Sequence, residues 1–330
     1  MRIVITGGAG FLGRKLAQAI ADRGRLTDAN GVTREVSEIV LVDVAAASDV
    51  RDRRLHTIAG DLGDERVIAS VFARPVDSVF HLAAVVSGQA EQDFDLGWRV
   101  NVDATRAWLE ACRHRASKPR FVFTSSVAVF GGRLPDRVPD DQQLTPQSSY
   151  GAQKAVGEML VHDYTRKGFI DGRSLRLPTV SVRPGKPNKA ASSFASGIVR
   201  EPLNGVAATC PVPADTRMWL TSPRSVIANL IVGHETPATA FAHARSVNVP
   251  GISVEVGEIV AALGRVAGTD AASRVHWHVD DAIDRIVATW PRDFDARFGR
   301  SLGMHSDSDF DSIIRQYIAD ELPPGSSPPR

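Results

Sequence analysis

The chain has 330 residues, of which 43% are hydrophobic and 23% charged, and a formal charge of +1. That balance suits a globular protein with a sizeable core and gives no reason to expect nucleic acid or a membrane surface as a partner. It has two cysteines, Cys112 and Cys210, with no partner at metal-ligand spacing, so neither a metal site nor a disulfide framework is expected.

The N-terminus, MRIVITGGAGFLG, is apolar but turns glycine-rich after five residues, too soon for a spanning helix or a signal-peptide core. No later stretch is long and apolar enough to cross a bilayer, so the cytoplasm is the default expectation. RIVIT (2–6), EIVLVDV (38–44), SVFHLAA (78–84) and RFVFTSS (120–126) read as short buried strands of a parallel sheet. Between them, FLGRKLAQAIADRG and NVDATRAWLEACRHR place apolar residues at helical spacing, and Cys112 falls in the second as a small buried hydrophobe. This alternation predicts an α/β fold of the Rossmann type, a doubly wound parallel sheet with ligands at the carboxyl ends of its strands. The stretch from Arg25 to Ser37 lengthens the first crossover and reads as a surface excursion. After about Leu175 the pattern loosens, and Pro178, Pro184, Pro187, Pro202, Pro211 and Pro213 break up a loop-rich region.

The first glycine-rich turn carries chemistry. TGGAGFLG places Gly7, Gly10 and Gly13, with Phe11 and Leu12, after a strand and before a helix. Glycines there let the backbone turn sharply and approach a pyrophosphate, whose charge meets the helix N-terminus. Asp43 ends the next strand, IVLVD, where a carboxylate accepts hydrogen bonds from both ribose hydroxyls and repels a 2′-phosphate. NAD is therefore favoured over NADP. Asp61 and Leu62 of AGDL are placed to meet the adenine, and Leu82, Ala83 and Ala84 of HLAA supply small residues where the cofactor passes.

Further on, Tyr150 and Lys154 lie four positions apart on a helical stretch, SSYGAQKAVGE, and so share one face. Taken in order, TGGAGFLG, DL, HLAA, Asn101 in RVNVDAT, TSSVAVFG and YGAQK resemble an extended short-chain dehydrogenase/reductase over roughly residues 1–185. The resemblance implies a catalytic group of Ser126, Tyr150 and Lys154, with Ser125 just inside the cofactor site and Asn101 anchoring a water in a proton relay. A helix-start role for Asn101 stands beside that. Phe130 departs from the family's usual tyrosine. An ordinary tyrosine titrates near 10, too high for a base at neutral pH, so Lys154 and oxidised cofactor are expected to lower Tyr150 toward phenolate. Lys154 is also expected to bond the nicotinamide ribose, so Tyr150 and Lys154 count among the cofactor contacts. Ser126 would hold the substrate oxygen, and Pro178 and Val180 resemble the segment that binds the nicotinamide carboxamide.

The segment 176–205 and TRMWLTSPRSV (216–226) bear on the substrate. Arg183, Lys186, Asn188, Lys189, Ser192 and Ser193, with Arg200 and Arg217 later, concentrate cations and small donors near the catalytic mouth, which suits a compact anion. Trp219 reads equally as an apolar wall or as core. RLPTVSVRPGKPN and MWLTSPR resemble the branch of the family that oxidises the C2 hydroxyl of a four-carbon sugar acid with NAD. The residues alone support a small polar anion with an oxidisable alcohol. Two other readings remain: a nucleotide-sugar epimerase or dehydratase, against which Thr179 replaces the usual diphosphate-contacting asparagine, and a non-catalytic NAD-sensing protein. The expected division is 1–177 for the NAD-binding domain, which also takes part of 216–250. A substrate lobe comprises 178–215 and 251–322, and the end, PPGSSPPR (323–330), reads as a disordered tail. Helices around 97–115 and 150–166 could pair across a homodimer.

Overall fold

The structure, a computed structural model, describes residues 1–47, 52–114, 118–185, 191–241 and 243–323. Lys186, Asn188, Lys189 and the expected tail beyond Pro323 lie outside the described residues. Arg2–Thr6 forms strand β1, with every residue buried. Glu38–Asp43 (β2), Leu55–Ala59 (β3), Ser78–His81 (β4), Arg120–Ser126 (β5), Asp171–Leu177 (β6) and Ser246–Asn248 (β7) complete a seven-stranded sheet in the order β7-β6-β5-β4-β1-β2-β3. All neighbours run parallel. The strand order reverses at β1, which lies between β2 and β4, and a ligand crevice belongs at the carboxyl ends of those strands.

Period two explains why the sheet is covered on both faces. Ile3, Ile5, Ile39 and Leu41 turn to one face and pack with Leu16 and Ile20 of the helix Phe11–Arg23 and with Val226 and Leu230 of the helix Pro223–Glu235. Val4, Val40 and Val42 turn to the other, against Trp108 and Leu109 of the helix Ala104–Arg113 and Val161 of the helix Ser149–Arg166. Burying each such side chain contributes on the order of 2 kcal/mol. The excursion after Arg25 is a hairpin, Arg25–Thr27 paired antiparallel with Thr33–Glu35. Strand β7 has no counterpart among the sequence runs, because three residues are too few to show a period.

Beyond β6 a second apolar cluster forms. Thr179–Val180, Arg217–Thr221 and Ile252–Glu255 make a three-stranded sheet. With the helices Phe194–Leu203, Val256–Ala267 and Phe310–Glu321 it encloses Val199, Leu220, Leu263 and Ile314. Cys112 and Cys210 are buried thiols, not joined in a disulfide. Among the described residues no helix is long and apolar enough to cross a membrane.

Candidate active site

At the end of β1 the chain turns through Gly7, whose φ is +70°, into the helix Phe11–Arg23. A Cβ on Gly7 would lie 2.8 Å from the Ala83 nitrogen, and one on Gly13 would lie 2.2 Å from the Gly7 carbonyl oxygen. Only glycines let the helix start press against the turn. The N-cap, Gly10, brings no side-chain cap, and the first turn holds no acid, so the leading N–H groups remain for an anion. A cleft of about 490 Å³ opens here. It is lined by Gly7, Gly10, Phe11, Leu12 and Gly13, by Asp43 at the end of β2, by Asp61 and Leu62, and by Leu82, Ala83 and Ala84 after β4. The Asp43 carboxylate accepts from Ala9 N at 3.0 Å and Val44 N at 2.8 Å, which fixes it between the glycine turn and its own strand end. A glycine cradle, an uncapped helix start and an anchored carboxylate on the neighbouring strand fit a dinucleotide.

The cleft also has a second wall that carries no sequence motif. Val85, Gln89, Leu96, Arg99 and Val100 line it. Val85 precedes the short helix Ser87–Gln92, and the others come from that helix, from Phe94–Trp98 and from a π-helical turn, Arg99–Asp103. Asn101 sits in that turn, 1% exposed. Its Oδ1 accepts from Val85 N at 2.8 Å, and its Nδ2 donates to Val85 O at 3.1 Å and to Gln153 Oε1 at 2.7 Å. The side chain is thus occupied as a brace between the cleft wall and the helix Ser149–Arg166, and Asn101 lies within the π turn instead of starting a helix.

His81 extends the brace. Thr105 Oγ1 donates to Asn101 O at 2.8 Å and so accepts from His81 Nε2 at 3.0 Å, while Thr6 Oγ1 meets His81 Nδ1 at 2.9 Å. Burial pushes the imidazole down to about 3, with the Lys154 charge adding to it, so it stays neutral.

The expected group of Ser126, Tyr150 and Lys154 comes from β5 and the helix Ser149–Arg166. Ser148 caps that helix, accepting from Gly151 N at 3.1 Å. A Cβ on Gly151 would lie 2.1 Å from Ala128 O, so glycine is required for the helix to lie against the end of β5. This contact brings Tyr150 next to Ser126, whose hydroxyl acts on the phenol. Ser126 Oγ accepts from Ala128 N at 3.1 Å. One turn along, Lys154 Nζ donates to Thr124 O at 2.8 Å and lies 4.7 Å from the Phe123 ring centre and 5.8 Å from that of Tyr150.

The electrostatics depart from the expectation that Lys154 lowers Tyr150. Burial holds the Tyr150 phenol above its usual range, and the opposing influences are the Arg183 guanidinium and the Ser126 hydrogen bond. Burial pulls the Lys154 ammonium down to about 7, opposed by the Glu158 carboxylate. Both shifts favour the neutral forms, and the cation acting on Tyr150 is Arg183. That residue is half-buried, and its Nε donates to Val180 O at 3.0 Å.

Other expected contacts fall elsewhere. Ser125 gives its hydroxyl to Glu158 Oε1 at 2.5 Å, and Thr124 lines the cleft in its place. With Ser126 turned into the site, strand alternation puts Thr124 on that side and Ser125 on the other. Arg217 is exposed and paired with Glu255 at 2.9 Å, on a separate polar cleft with Asp293 and Asp295, so it does not join Ser126, Tyr150 and Lys154. Trp219 is core, 4% exposed and packed with Phe130 and Phe294. Pro178 and Val180 are buried, with Val180 in the core beside Leu177. Ser192, half-buried, lies on a short 3₁₀ turn, Ala191–Ser193.

Comparison with known proteins agrees with this architecture. The sequence is 53% identical to the D-erythronate dehydrogenase of Cupriavidus necator over 320 residues, 97% of this chain and 98% of that one. It is 42% identical to the D-erythronate dehydrogenase of Haemophilus influenzae, covering 96% and 99%. A crystal structure named as a nucleoside-diphosphate-sugar epimerase from Agrobacterium tumefaciens superposes with a TM-score of 0.91 at 42% identity, covering 98% of this chain and 94% of that one. The sequence profile of the NAD dependent epimerase/dehydratase family, the extended short-chain dehydrogenase/reductases, matches residues 3–219. The chain belongs to that family and is an NAD-dependent oxidoreductase.

Proposed function

We propose that the protein oxidises the C2 hydroxyl of a small sugar acid, D-erythronate or a close relative, to the 2-oxo acid. The observation that carries this reading is Arg183, a half-buried cation acting directly on the catalytic tyrosine. A 2-hydroxy acid carries its carboxylate one bond from the carbinol carbon, so an anion-binding group is needed beside the base. Likeness to two D-erythronate dehydrogenases over nearly the whole chain supports the same substrate class.

Bound NAD supplies the hydride acceptor and, in its oxidised form, a positive charge near the phenol. Gly7, Gly10 and Gly13 would hold its diphosphate, Asp43 its adenosine ribose, and Lys154 the nicotinamide ribose. Ser126, its oxygen already accepting from Ala128 N, donates to the substrate oxygen and orients it. Tyr150 takes the hydroxyl proton as the carbinol C–H bond breaks. Arg183 holds the carboxylate and favours the phenolate at once. Binding of the acid anion would partly neutralise Arg183 and so weaken, without abolishing, its pull on the phenol. Lys186 and Asn188 are further candidates for the carboxylate, and we assign the lobe formed by 178–215 and 251–322 to substrate recognition.

The test follows NADH absorbance with D-erythronate, D-threonate and related 2-hydroxy acids, and then with UDP-sugars. NADH formation with a sugar acid is expected. Arg183→Ala should raise KM for the acid about 30-fold, a loss of roughly 2 kcal/mol from a charge-assisted contact. Turnover with UDP-sugars alone would replace this reading with the epimerase one, which the name of the Agrobacterium structure favours.

The protein is further proposed to act in the cytoplasm as a homodimer through its outer helices. Phe94 (57% exposed), Trp98 (38%) and Met159 (58%) give that side an apolar face. Sedimentation should find a dimer, and Met159→Asp with Trp98→Asp a monomer.

A further inference from the structure

The cofactor cleft has an unequal charge inventory. Asp43 and Asp61 are its carboxylates, Arg99 is the one cation among its described lining residues, and Gln89 adds an amide. A dinucleotide brings a diphosphate with two negative charges. The uncapped start of the helix Phe11–Arg23 answers part of that charge, but the glycine turn supplies no cationic side chain.

Arg99 is exposed, and among the described residues no carboxylate pairs with it. The backbone that carries it is nevertheless fixed. Arg99 opens the π-helical turn, and two residues on Asn101 grips both the N–H and the C=O of Val85. Val85 lies on the cleft wall directly after Ala84, so the turn is tied to the segment along which the cofactor passes. The nearby carboxylates are themselves engaged: Asp43 accepts from Ala9 N and Val44 N, and Asp61 Oδ1 accepts from Gly63 N at 2.8 Å. An anchored backbone with an exposed guanidinium, which no carboxylate among the described residues pairs, is suited to clamping an incoming anion, and the planar fork matches phosphate oxygens in pairs.

We propose that Arg99 binds the diphosphate of NAD, forming from the second wall of the cleft the cationic half of a site whose other half is the glycine turn and helix start. This gives the motif-free segment 85–100 a role in cofactor affinity. It rests on the cofactor and not on the identity of the sugar acid.

Titration calorimetry with NADH, ADP-ribose and adenosine, on wild type, Arg99→Ala and Arg99→Lys, tests the assignment. Arg99→Ala should bind NADH and ADP-ribose about tenfold more weakly while binding adenosine as wild type does. Arg99→Lys should recover part of the loss, since it keeps the charge without the fork. The affinity of Arg99→Ala for ADP-ribose should also fall less steeply with salt. Unchanged ADP-ribose affinity would overturn the proposal, and so would an equal loss for adenosine, which would mean that the cleft itself had been deformed. Because Arg99 is exposed, the melting temperature of the cofactor-free variant should match wild type; a lower one with equal losses for all three probes counts against the proposal in the same way.

Discussion

Two buried ionic clusters sit on the same pair of strands, at opposite ends, and only one adjoins Lys154 of the proposed catalytic group. At the amino ends of β5 and β6, Asp171 is flanked by Arg120 at 3.1 Å, Arg173 at 2.5 Å and Arg245 at 3.4 Å. The guanidinium groups are answered again by carbonyls: Arg120 by Thr27 O and His234 O, and Arg173 by Gly233 O, His234 O and Thr236 O. At the carboxyl ends, Glu158 is fully buried and held by Ser125 at 2.5 Å and Arg176 at 2.7 Å. Arg176 continues to Asn248 Oδ1 at 3.3 Å and lies 4.9 Å over the Phe130 ring. Lys154 stands beside Glu158, with Tyr150 one turn earlier on the same helix and Ser126 next to Tyr150. Burial of charge alone therefore does not identify a site.

The largest effect that would break this contrast is at the phenol. Tyr150→Phe should lower kcat about 1000-fold, within the range for losing a general base, while NADH still binds. A residual rate within tenfold of wild type would remove Tyr150 from the chemistry and make the two ends equivalent. The next comparison sets the clusters against each other. Glu158→Gln and Asp171→Asn each leave buried arginines short of a partner, so each should cost about 3–5 kcal/mol of stability in chemical denaturation. Only Glu158→Gln should also move the pH profile of kcat. It removes the negative charge that keeps Lys154 protonated, so the limb reporting Lys154 shifts to lower pH. An equal displacement in Asp171→Asn would show that the profile follows general destabilisation.

What the sequence disclosed followed the range over which each feature is encoded. The glycine turn, Asp43, Ser126 and the Tyr150–Lys154 pair are local backbone geometry written in short motifs, and the structure gathers them at one end of the sheet. Ser125 could have been placed from strand alternation once Ser126 was turned inward. Arg217 could not, because its partner Glu255 arrives on another strand 38 residues later. The influence of Arg183 on Tyr150 is likewise tertiary, and so is the burial that works on Lys154. Gln89 and Arg99 were missed because their wall consists of two short helices and a π turn with no recurrent spacing. Phe130 looked like a missing hydroxyl. In the folded chain it is a ring 2% exposed, packed between Arg176 and Phe294.

A smaller effect should appear in stability. Lys154 titrates near 7 when folded, well below the roughly 10.4 of an unfolded lysine. Between those values the unfolded chain holds the proton and the folded chain does not, so stability rises with pH across that window. Below it, folding must bury the ammonium. Lys154→Met removes that cost, so its cofactor-free melting temperature should exceed wild type at pH 6 by several degrees, about 2–4 °C for each kcal/mol, with the gap closing toward pH 10. A constant gap would mean that the lost hydrogen bond to Thr124, and not the charge, governs the difference.

The smallest expected effect is at Arg217, and it sharpens the boundary of the site. In the sequence Arg183 and Arg217 look alike, as cations in the loop-rich region that follows β6. Arg217 is solvent-exposed at the start of the strand Arg217–Thr221, and its partner Glu255 is exposed as well. An exposed ion pair is screened by water and salt, and holding two long side chains in register offsets most of its attraction. Arg217→Ala should therefore leave kcat and the KM for the sugar acid within about twofold of wild type, and the melting temperature unchanged, while Arg183→Ala loses acid affinity. Steady-state kinetics on the two variants side by side decides it. A KM increase at Arg217 as large as that at Arg183 would mean that the polar cleft with Asp293 and Asp295 belongs to the substrate path, and the crevice at the carboxyl ends of the strands would then no longer contain the whole of the recognition chemistry.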